Sequence, residues 1–206
     1  MPGFFSHLPP VVMLTAFLLT GHVSLADDST EPIQVVPSGD YAIYDRIVQA
    51  KFLTSDTTLV FIRRLTATHI GPEQVPFRRR FFDENQFFDA ALPPTLLTNF
   101  LAATLRPSRL ESKFQFGVRY RLVSDFNDGI EEARGAVRPV TLATEVAEPR
   151  IRLELSRVAY TPTRDLALVY VGDYRSDGTG AGFLVLLHAE PSGWEIQDTE
   201  VVWTMR

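Results

Sequence analysis

Cysteine is absent from the chain, and lysine and histidine are scarce. The absence of cysteine excludes disulfides, thiolate nucleophiles, cysteine-ligated zinc and a lipid anchor on an amino-terminal cysteine. Only two of the four histidines, His69 and His188, follow residue 26, and two are too few for a three-histidine metal site. Core packing must therefore stabilise the fold, and any chemistry must come mainly from carboxylates, hydroxyls and arginine.

Only one long hydrophobic run is present, at residues 11–19, and it is followed by Gly21 and by Ser24-Leu25-Ala26. An apolar run that ends in a small-residue site predicts a secretory signal peptide over residues 1–26. The competing interpretation is a membrane anchor, but the run is about half of the ~20 residues that cross a bilayer. We therefore expect an exported protein, periplasmic or extracellular in a bacterium, without a lipid anchor and without a transmembrane segment after cleavage.

The remaining residues, 27–206, are expected to form a single domain. A chain of 180 residues is long enough to bury roughly 70% of its unfolded surface. Hydrophobic residues make up 45% of the chain and charged residues 22%, which is ordinary for a globular protein.

Residue spacing and turn signals predict an α+β fold. Apolar residues at helical spacing predict a first helix over about 40–53, and Pro93-Pro94 begins a second one that ends before Pro107. Strands are predicted at 57–68, at 113–122, where apolar and polar residues alternate, and in four runs after residue 150. Short connections between the last strands predict an antiparallel meander, so we expect two helices packed on a mainly antiparallel sheet.

Two segments are harder to interpret. Residues 71–92 combine prolines, three arginines and the pairs Phe81-Phe82 and Phe87-Phe88, and these four rings are expected to be buried somewhere. A turn is predicted at Asn127-Asp128-Gly129, followed by a long loop or a marginal hairpin near residues 140–144.

Charge is uneven along the chain, whose formal net charge is −5. Residues 51–121 contain 11 Lys and Arg against 6 Asp and Glu. An anionic surface, such as lipid headgroups or a polyanionic glycan, is one predicted partner of this basic middle. The arginines concerned are Arg63, Arg64, Arg78, Arg79 and Arg80, together with Arg119 and Arg121. The alternative is an ordinary solvated face, since Arg outnumbers Lys 18 to 2 throughout.

No residue pattern predicts a catalytic, cofactor-binding or metal-binding site. Gly178, Gly180 and Gly182 precede a predicted strand, whereas a phosphate-binding loop precedes a helix, so a turn is the expected structure. The acidic segment 125–129 ends in glycine where a calcium loop needs an oxygen ligand, and Asp173 and Asp177 are ordinary turn formers.

Two further patterns receive structural interpretations. Ser156 lacks the strand-turn-helix elbow of a hydrolase nucleophile, and Ser156-Arg157 is expected to mark a β-bulge. Residues 113–120 resemble an RNA-recognition strand only loosely, because Phe114 stands where that motif needs glycine. We therefore expect no nucleic-acid partner.

The carboxyl-terminal third resembles a family of uncharacterised exported bacterial proteins. Four segments in the same order carry the resemblance: Ser156-Arg157-Val158, Ala167-Leu168-Val169-Tyr170-Val171-Gly172, Gly180-Ala181-Gly182 and Gly193-Trp194. Members of that family often have two cysteines in the glycine-containing turn, where this chain has Ser176, Asp177 and Thr179. The family implies no activity, and similar meanders in cystatin-like and nuclear-transport-factor-2-like cones are an analogy of fold only.

Three classes of function follow. The favoured hypothesis is a non-enzymatic exported domain that binds a protein, an envelope component or a small apolar ligand in a concavity between sheet and helix. The alternative is a small acid–base enzyme with a pocket like that of the nuclear-transport-factor-2-like fold. The third is an accessory role at an anionic surface. A pocket carboxylate with a raised pKa would favour the enzyme.

Overall fold

The computed structural model describes residues 32–124, 150–175 and 177–206. The predicted signal peptide, the turn at 127–129 and the hairpin near 140–144 lie outside the described residues, as does the acidic segment 125–129.

Three α-helices and nine strands are present in the described ranges. The helices are α1 (Tyr41–Ile47), α2 (Arg79–Asn85) and α3 (Pro94–Ala103). The strands are β1 (Leu59–Arg63), β2 (His69–Ile70), β3 (Val75–Pro76), β4 (Arg119–Val123), β5 (Arg150–Leu155), β6 (Ala159–Tyr160), β7 (Leu166–Tyr174), β8 (Gly180–Glu190) and β9 (Gly193–Met205). Short helical turns of other types occupy Ser38–Asp40, Val48–Phe52 and Phe87–Ala90.

One mixed sheet organises the domain, with strand order β4-β1-β5-β7-β8-β9. Strand β6 also pairs with β7, and β2 and β3 form a separate two-stranded ribbon. The carboxyl-terminal strands β7, β8 and β9 are antiparallel neighbours, which confirms the predicted meander and the α+β class. Strand β1 pairs in parallel with both β4 and β5, so the sheet is mainly but not wholly antiparallel.

The sheet is packed on both faces because β7 and β8 are apolar on both sides. Alternate side chains such as Val169 and Val185 contribute to a first core that contains α1, and their neighbours Leu168 and Leu184 contribute to a second core that contains α2 and α3. Strands buried on both faces carry near-continuous apolar runs, as β7 does.

The first helix begins and ends close to the predicted limits. One turn, Ser38–Asp40, leads into α1, and a turn of π-helix, Val48–Phe52, extends the helical segment to residue 52. Its apolar face buries Ile43, Tyr44 and Ile47 completely. The second predicted helix is α3, with Pro94 at its first position.

The described residues contain one α-helix more than predicted, because Arg79–Asn85 also forms a helix, α2. Gln86 adopts a left-handed conformation, φ 49°, which ends α2 and separates it from the turn Phe87–Ala90. Phe81-Phe82 therefore lies in α2, and Phe87-Phe88 lies in a turn in which Phe88 has a left-handed backbone conformation, φ 58°. As expected, the rings pack inside: Phe82, Phe87 and Phe88 are buried in the second core and Phe81 packs against it.

The strand predicted at 113–122 is shorter than expected. Only its second half, Arg119–Val123, pairs in the sheet, whereas Phe114 and Phe116 are buried in the first core without being in a strand. The alternation still indicated the correct buried side. Among the described residues, no helix is both long enough and apolar enough to cross a membrane.

Candidate functional site

A cleft of about 420 Å³ lies where β1, β5 and β7 meet the segment that follows β1. Its floor is formed by the buried residues Thr66, Gly71 and Glu154. Its rim is formed by exposed residues of three separate segments: Leu65, His69, Pro72, Gln74, Pro107 and Ser124. The size is at the lower end of the range for small-molecule sites, about 300–1,000 Å³.

Glu154 on β5 is the buried carboxylate of the cleft, with only 11% of its side chain exposed. Arg63 Nη1 donates to its Oε1 at 2.8 Å, and the Tyr174 phenol donates to its Oε2 at 3.0 Å. Burial, followed by the charge of Glu154, raises the pKa of Tyr174, so the phenol remains a donor at physiological pH. The carboxylate is thus positioned before any ligand binds.

The register of the sheet brings these three side chains together. Glu154 is paired with Gly172 across β5 and β7, and Tyr174 is two residues further along the same face. A β-carbon on Gly172 would lie 2.9 Å from Cε2 of Tyr174, closer than packed atoms approach. Glycine at this position therefore lets the Tyr174 ring lie against the strand beside Glu154.

A second layer of hydrogen bonds supports the cleft from the interior. The Tyr170 hydroxyl accepts from the Gly71 N–H at 2.9 Å and from Trp203 Nε1 at 2.8 Å. Burial raises the pKa of Tyr170 to about 12, although these two hydrogen bonds lower it. Tyr170 thereby ties the cleft segment at Gly71 to the sheet and to β9.

The glycines near residue 180 have a different role from the one predicted. Gly178 is in the turn, but Gly180 and Gly182 lie within β8, where the Trp203 ring packs over them. A β-carbon on Gly182 would overlap the indole. These glycines make room for an aromatic ring on the neighbouring strand, and no helix follows that could bind a phosphate.

His69 lines the rim of the same cleft. Its Nδ1 is 2.8 Å from the Thr68 hydroxyl, which orients the ring, and Thr68 also lines the cleft. The Thr66 hydroxyl is committed to the fold, since it accepts from the Ser108 N–H at 2.8 Å.

His188, the other histidine that follows residue 26, lies on β8, and its Nε2 is 2.8 Å from Oε1 of Glu190.

A separate polar cluster surrounds Asp40, which is 2% exposed. The Tyr160 hydroxyl donates to its Oδ1 at 2.8 Å, and Arg157 Nε is 3.9 Å from its Oδ2. Burial raises the pKa of Asp40, opposed by the hydrogen bond from Tyr160 and by the charges of Arg157 and Arg164. The contacts join the start of α1 to the end of β6, and Asp40 does not line the cleft.

Ser156 is structural, in agreement with its interpretation. It is completely buried, its hydroxyl accepts from the Tyr170 N–H at 2.9 Å and donates to the Arg157 carbonyl at 2.9 Å. The interruption expected there is present, because β5 ends at Leu155 and β6 begins at Ala159.

The two aspartates near the β7–β8 turn have ordinary local partners. Asp177 Oδ1 accepts from both the backbone and the hydroxyl of Thr179, and Asp173 Oδ2 is 3.4 Å from Arg175 Nε. Within the part of the chain that the structure describes, no three His, Asp or Glu side chains are grouped as metal ligands.

The arginines of the predicted anionic-partner surface are distributed over several elements. Arg63, Arg119 and Arg121 share one face of the sheet by register, whereas Arg64 follows β1 and is 3.5 Å from the Leu122 carbonyl. Arg78 precedes α2, Arg79 donates to Thr98, and Arg80 pairs with Glu84 one turn later. An anionic partner for these residues stays a prediction.

Sequence reasoning did not identify Glu154 and Tyr174 as site residues. Glu154 lies within a predicted strand, whereas the strand predicted before Tyr174 ended at residue 171. The position of Glu154 beside Arg63 depends on the pairing of strands whose residues are 91 apart in the chain. The available signal was a glutamate between two apolar residues at the end of a strand, since Leu153 and Leu155 flank it and are fully buried.

No protein-family model, curated protein or solved structure matches this chain.

Proposed function

We propose that the protein is an exported, non-enzymatic binding domain of the bacterial cell envelope or exterior, and that the cleft is its ligand site. The observation that carries this proposal is the preformed polar floor, in which Glu154 is held between Arg63 and Tyr174. All three groups are on strands, so little reorganisation accompanies ligand binding. Export rests on the amino-terminal sequence alone.

The distribution of titratable groups supports binding over turnover. Burial raises the pKa of Asp40, Asp45 and Asp173, and none of these carboxyls is among the described residues that line the cleft. A carboxyl with a raised pKa inside a pocket is a usual mark of a general acid. The cleft carboxylate Glu154 accepts hydrogen bonds from Arg63 and Tyr174, as expected for a group that positions a ligand.

The test compares two matched substitutions. Leu65→Trp fills the cleft from its rim, and Leu105→Trp places the same ring on a residue that is 77% exposed and does not line the cleft. The low-molecular-mass fraction of an envelope extract is passed over each immobilised protein, and retained compounds are identified by mass spectrometry. A compound retained by the unmodified chain and by L105W but not by L65W is the expected result. Equal retention by all three proteins, or no retention, would reject the cleft as the ligand site.

A second candidate, a small acid–base enzyme, is favoured by one observation. A carboxylate, a phenol and an imidazole line the same cleft, at Glu154, Tyr174 and His69. These are common general acids and bases. The same experiment separates the two functions, because an enzyme would release a compound of different mass, whereas a binding domain returns the retained compound unchanged.

A further inference from the structure

The charged side chains that line the cleft, among the residues the structure describes, are of opposite sign. Arg63 and Glu154 are the charged side chains among the described lining residues, and they are paired at 2.8 Å. A strongly anionic ligand would meet the Glu154 carboxylate, and a cationic ligand would meet the Arg63 guanidinium. This opposite pairing on the described lining residues favours a ligand without net charge.

The remaining polar side chains both donate and accept hydrogen bonds. Thr68 and Ser124 have hydroxyls, Gln74 has an amide and His69 has an imidazole. Together with the acceptor Glu154, they surround the cleft with mixed hydrogen-bonding capacity. A ligand that matches them must itself donate and accept at several positions.

A small apolar ligand, one of the three alternatives expected from the sequence, does not suit the floor. It would cover the buried carboxylate of Glu154 with hydrocarbon, and covering a charged group without new hydrogen bonds is unfavourable. Leu65, Pro72 and Pro107 on the rim, with the Tyr174 ring, still give apolar surfaces for the C–H faces of a sugar ring.

We propose that the cleft binds a neutral polyhydroxylated ligand, a mono- or disaccharide unit, with Glu154 accepting from its hydroxyls and the rim residues contributing further hydrogen bonds. This inference rests on the proposed function of the cleft. The unit is either a free sugar or the end of a larger glycan, since both present the same hydroxyl groups.

The structure supplies an optical reporter for the test. The rings of Tyr174 and Trp203 are 5.4 Å apart, and Tyr174 lines the cleft. The other tryptophan, Trp194, packs against Tyr160 instead. In Trp194→Phe, Trp203 is the single tryptophan, and its emission is expected to change when the cleft is occupied.

The experiment titrates the purified W194F protein with maltose, cellobiose, lactose and N,N′-diacetylchitobiose, and with a short neutral glycan ending in each disaccharide. At least one probe is expected to bind with a Kd of about 1 mM or tighter. Added salt should leave this Kd unchanged, because no charge is neutralised. Tighter binding of the free disaccharide would identify the ligand as a free sugar, and tighter binding of the glycan would identify it as the end of a larger glycan.

Variants then locate the binding. Glu154→Gln should weaken binding by about ten- to hundredfold, because a hydrogen bond to a charged group is replaced by a weaker one. Gln74→Ala at the exposed rim cannot disturb the core and should weaken binding several-fold, whereas Leu105→Ala, which leaves Trp203 as the single tryptophan, should not change it. Equal affinities for all variants would overturn the proposal.

A sulfated disaccharide that binds more tightly than the neutral probes, with an affinity that falls as salt is added, would also overturn it. If no neutral probe binds but a compound from the extract is retained through the cleft, the ligand class is wrong and the proposed function stands. If neither occurs, both are rejected.

Discussion

The indole of Trp203 on β9 lies directly over Gly182 on β8, and the two residues are register partners. Gly180 and Gly71 border the same ring, at 3.2 Å from where their β-carbons would be. Trp203 Nε1 then reaches Tyr170 at 2.8 Å. Gly180 and Gly182, which the sequence suggested were part of a turn, therefore form a surface on which the Trp203 ring packs.

Gly182→Ala is expected to destabilise the protein by about 1 to 3 kcal/mol, as inserted carbon atoms do in packed sites. The new methyl group would displace the indole and weaken its hydrogen bond to Tyr170. Gly39→Ala is the matched control, because a β-carbon at Gly39 would have no atom within 4 Å. Urea unfolding followed by circular dichroism measures both, and equal midpoints for the two variants would show that Trp203 is not seated as described.

Helices and strands with a regular hydrophobic pattern could be predicted from the sequence, but the pairing of the strands in the sheet could not. Helix α3 and strands β7 to β9 follow from spacing and turn residues. The parallel pairing of β1 with β4 and β5 could not be read, because register depends on contacts far apart in the chain. Helix α2 was missed because it spans only seven residues and Gln86 ends it in a left-handed conformation.

The phenylalanines of residues 81–88 were expected to be buried, and the structure shows where. Phe82 packs edge-to-face against Phe87 and Phe100, with ring centroids 5.9 Å and 5.8 Å away. Phe82→Ala should therefore cost about 3 to 5 kcal/mol, as aromatic truncations in cores do. Leu105→Ala, at a residue 77% exposed, should change the free energy of unfolding by less than about 0.5 kcal/mol.

Thermal or urea unfolding of both variants tests this expectation. A Phe82→Ala protein as stable as Leu105→Ala would mean that the second core does not hold α2 against the sheet.

The cleft could be predicted only in part. Arg63 was singled out for its charge, but the carboxylate that pairs with it was not, since strand β5 lies beside β1 only in the folded sheet. Gly172 and Tyr174 lie beyond residue 171, where the predicted strand ended, and only the register of β7 places them beside Glu154. The residue type alone thus indicated Arg63, whereas Glu154 could be identified only from the order of the strands in the sheet.

Export can be tested at one peptide bond. A small-residue site should be cleaved after Ala26, so the exported chain should begin at Asp27. Ala26→Gln is expected to leave the precursor uncleaved, because the residue before the scissile bond must be small. Leu25→Gln is the matched control, since the middle position tolerates other residues. Intact-mass analysis of the cell fractions distinguishes the forms, and a cytoplasmic chain that retains residue 1 would contradict export.

The free energy of unfolding should depend on pH through Asp40. A salt-bridged surface aspartate stabilises a fold more as the pH rises, whereas Asp40 should stabilise this fold less. Burial raises its pKa above the ordinary value of 3.8, so the folded protein holds this proton more tightly than the unfolded chain. The tighter binding of this proton therefore adds to the free energy of unfolding. The contribution is fully present below pH 3.8 and is lost as the pH rises through the folded-state pKa of Asp40. Asp40→Asn removes the titration and keeps an oxygen for Tyr160. The stability of the unmodified protein relative to this variant should therefore fall as the pH rises.

Asp165 provides the control of opposite sign. Hydrogen bonds from Thr161 and Thr163 lower its pKa, so its contribution is present above pH 3.8 and is lost as the pH falls through the folded-state value. Relative to Asp165→Asn, the unmodified protein should gain stability as the pH rises. Urea unfolding from acid to neutral pH measures the two differences. Because both groups are aspartates in one chain, slopes of the same sign would show that burial does not control Asp40.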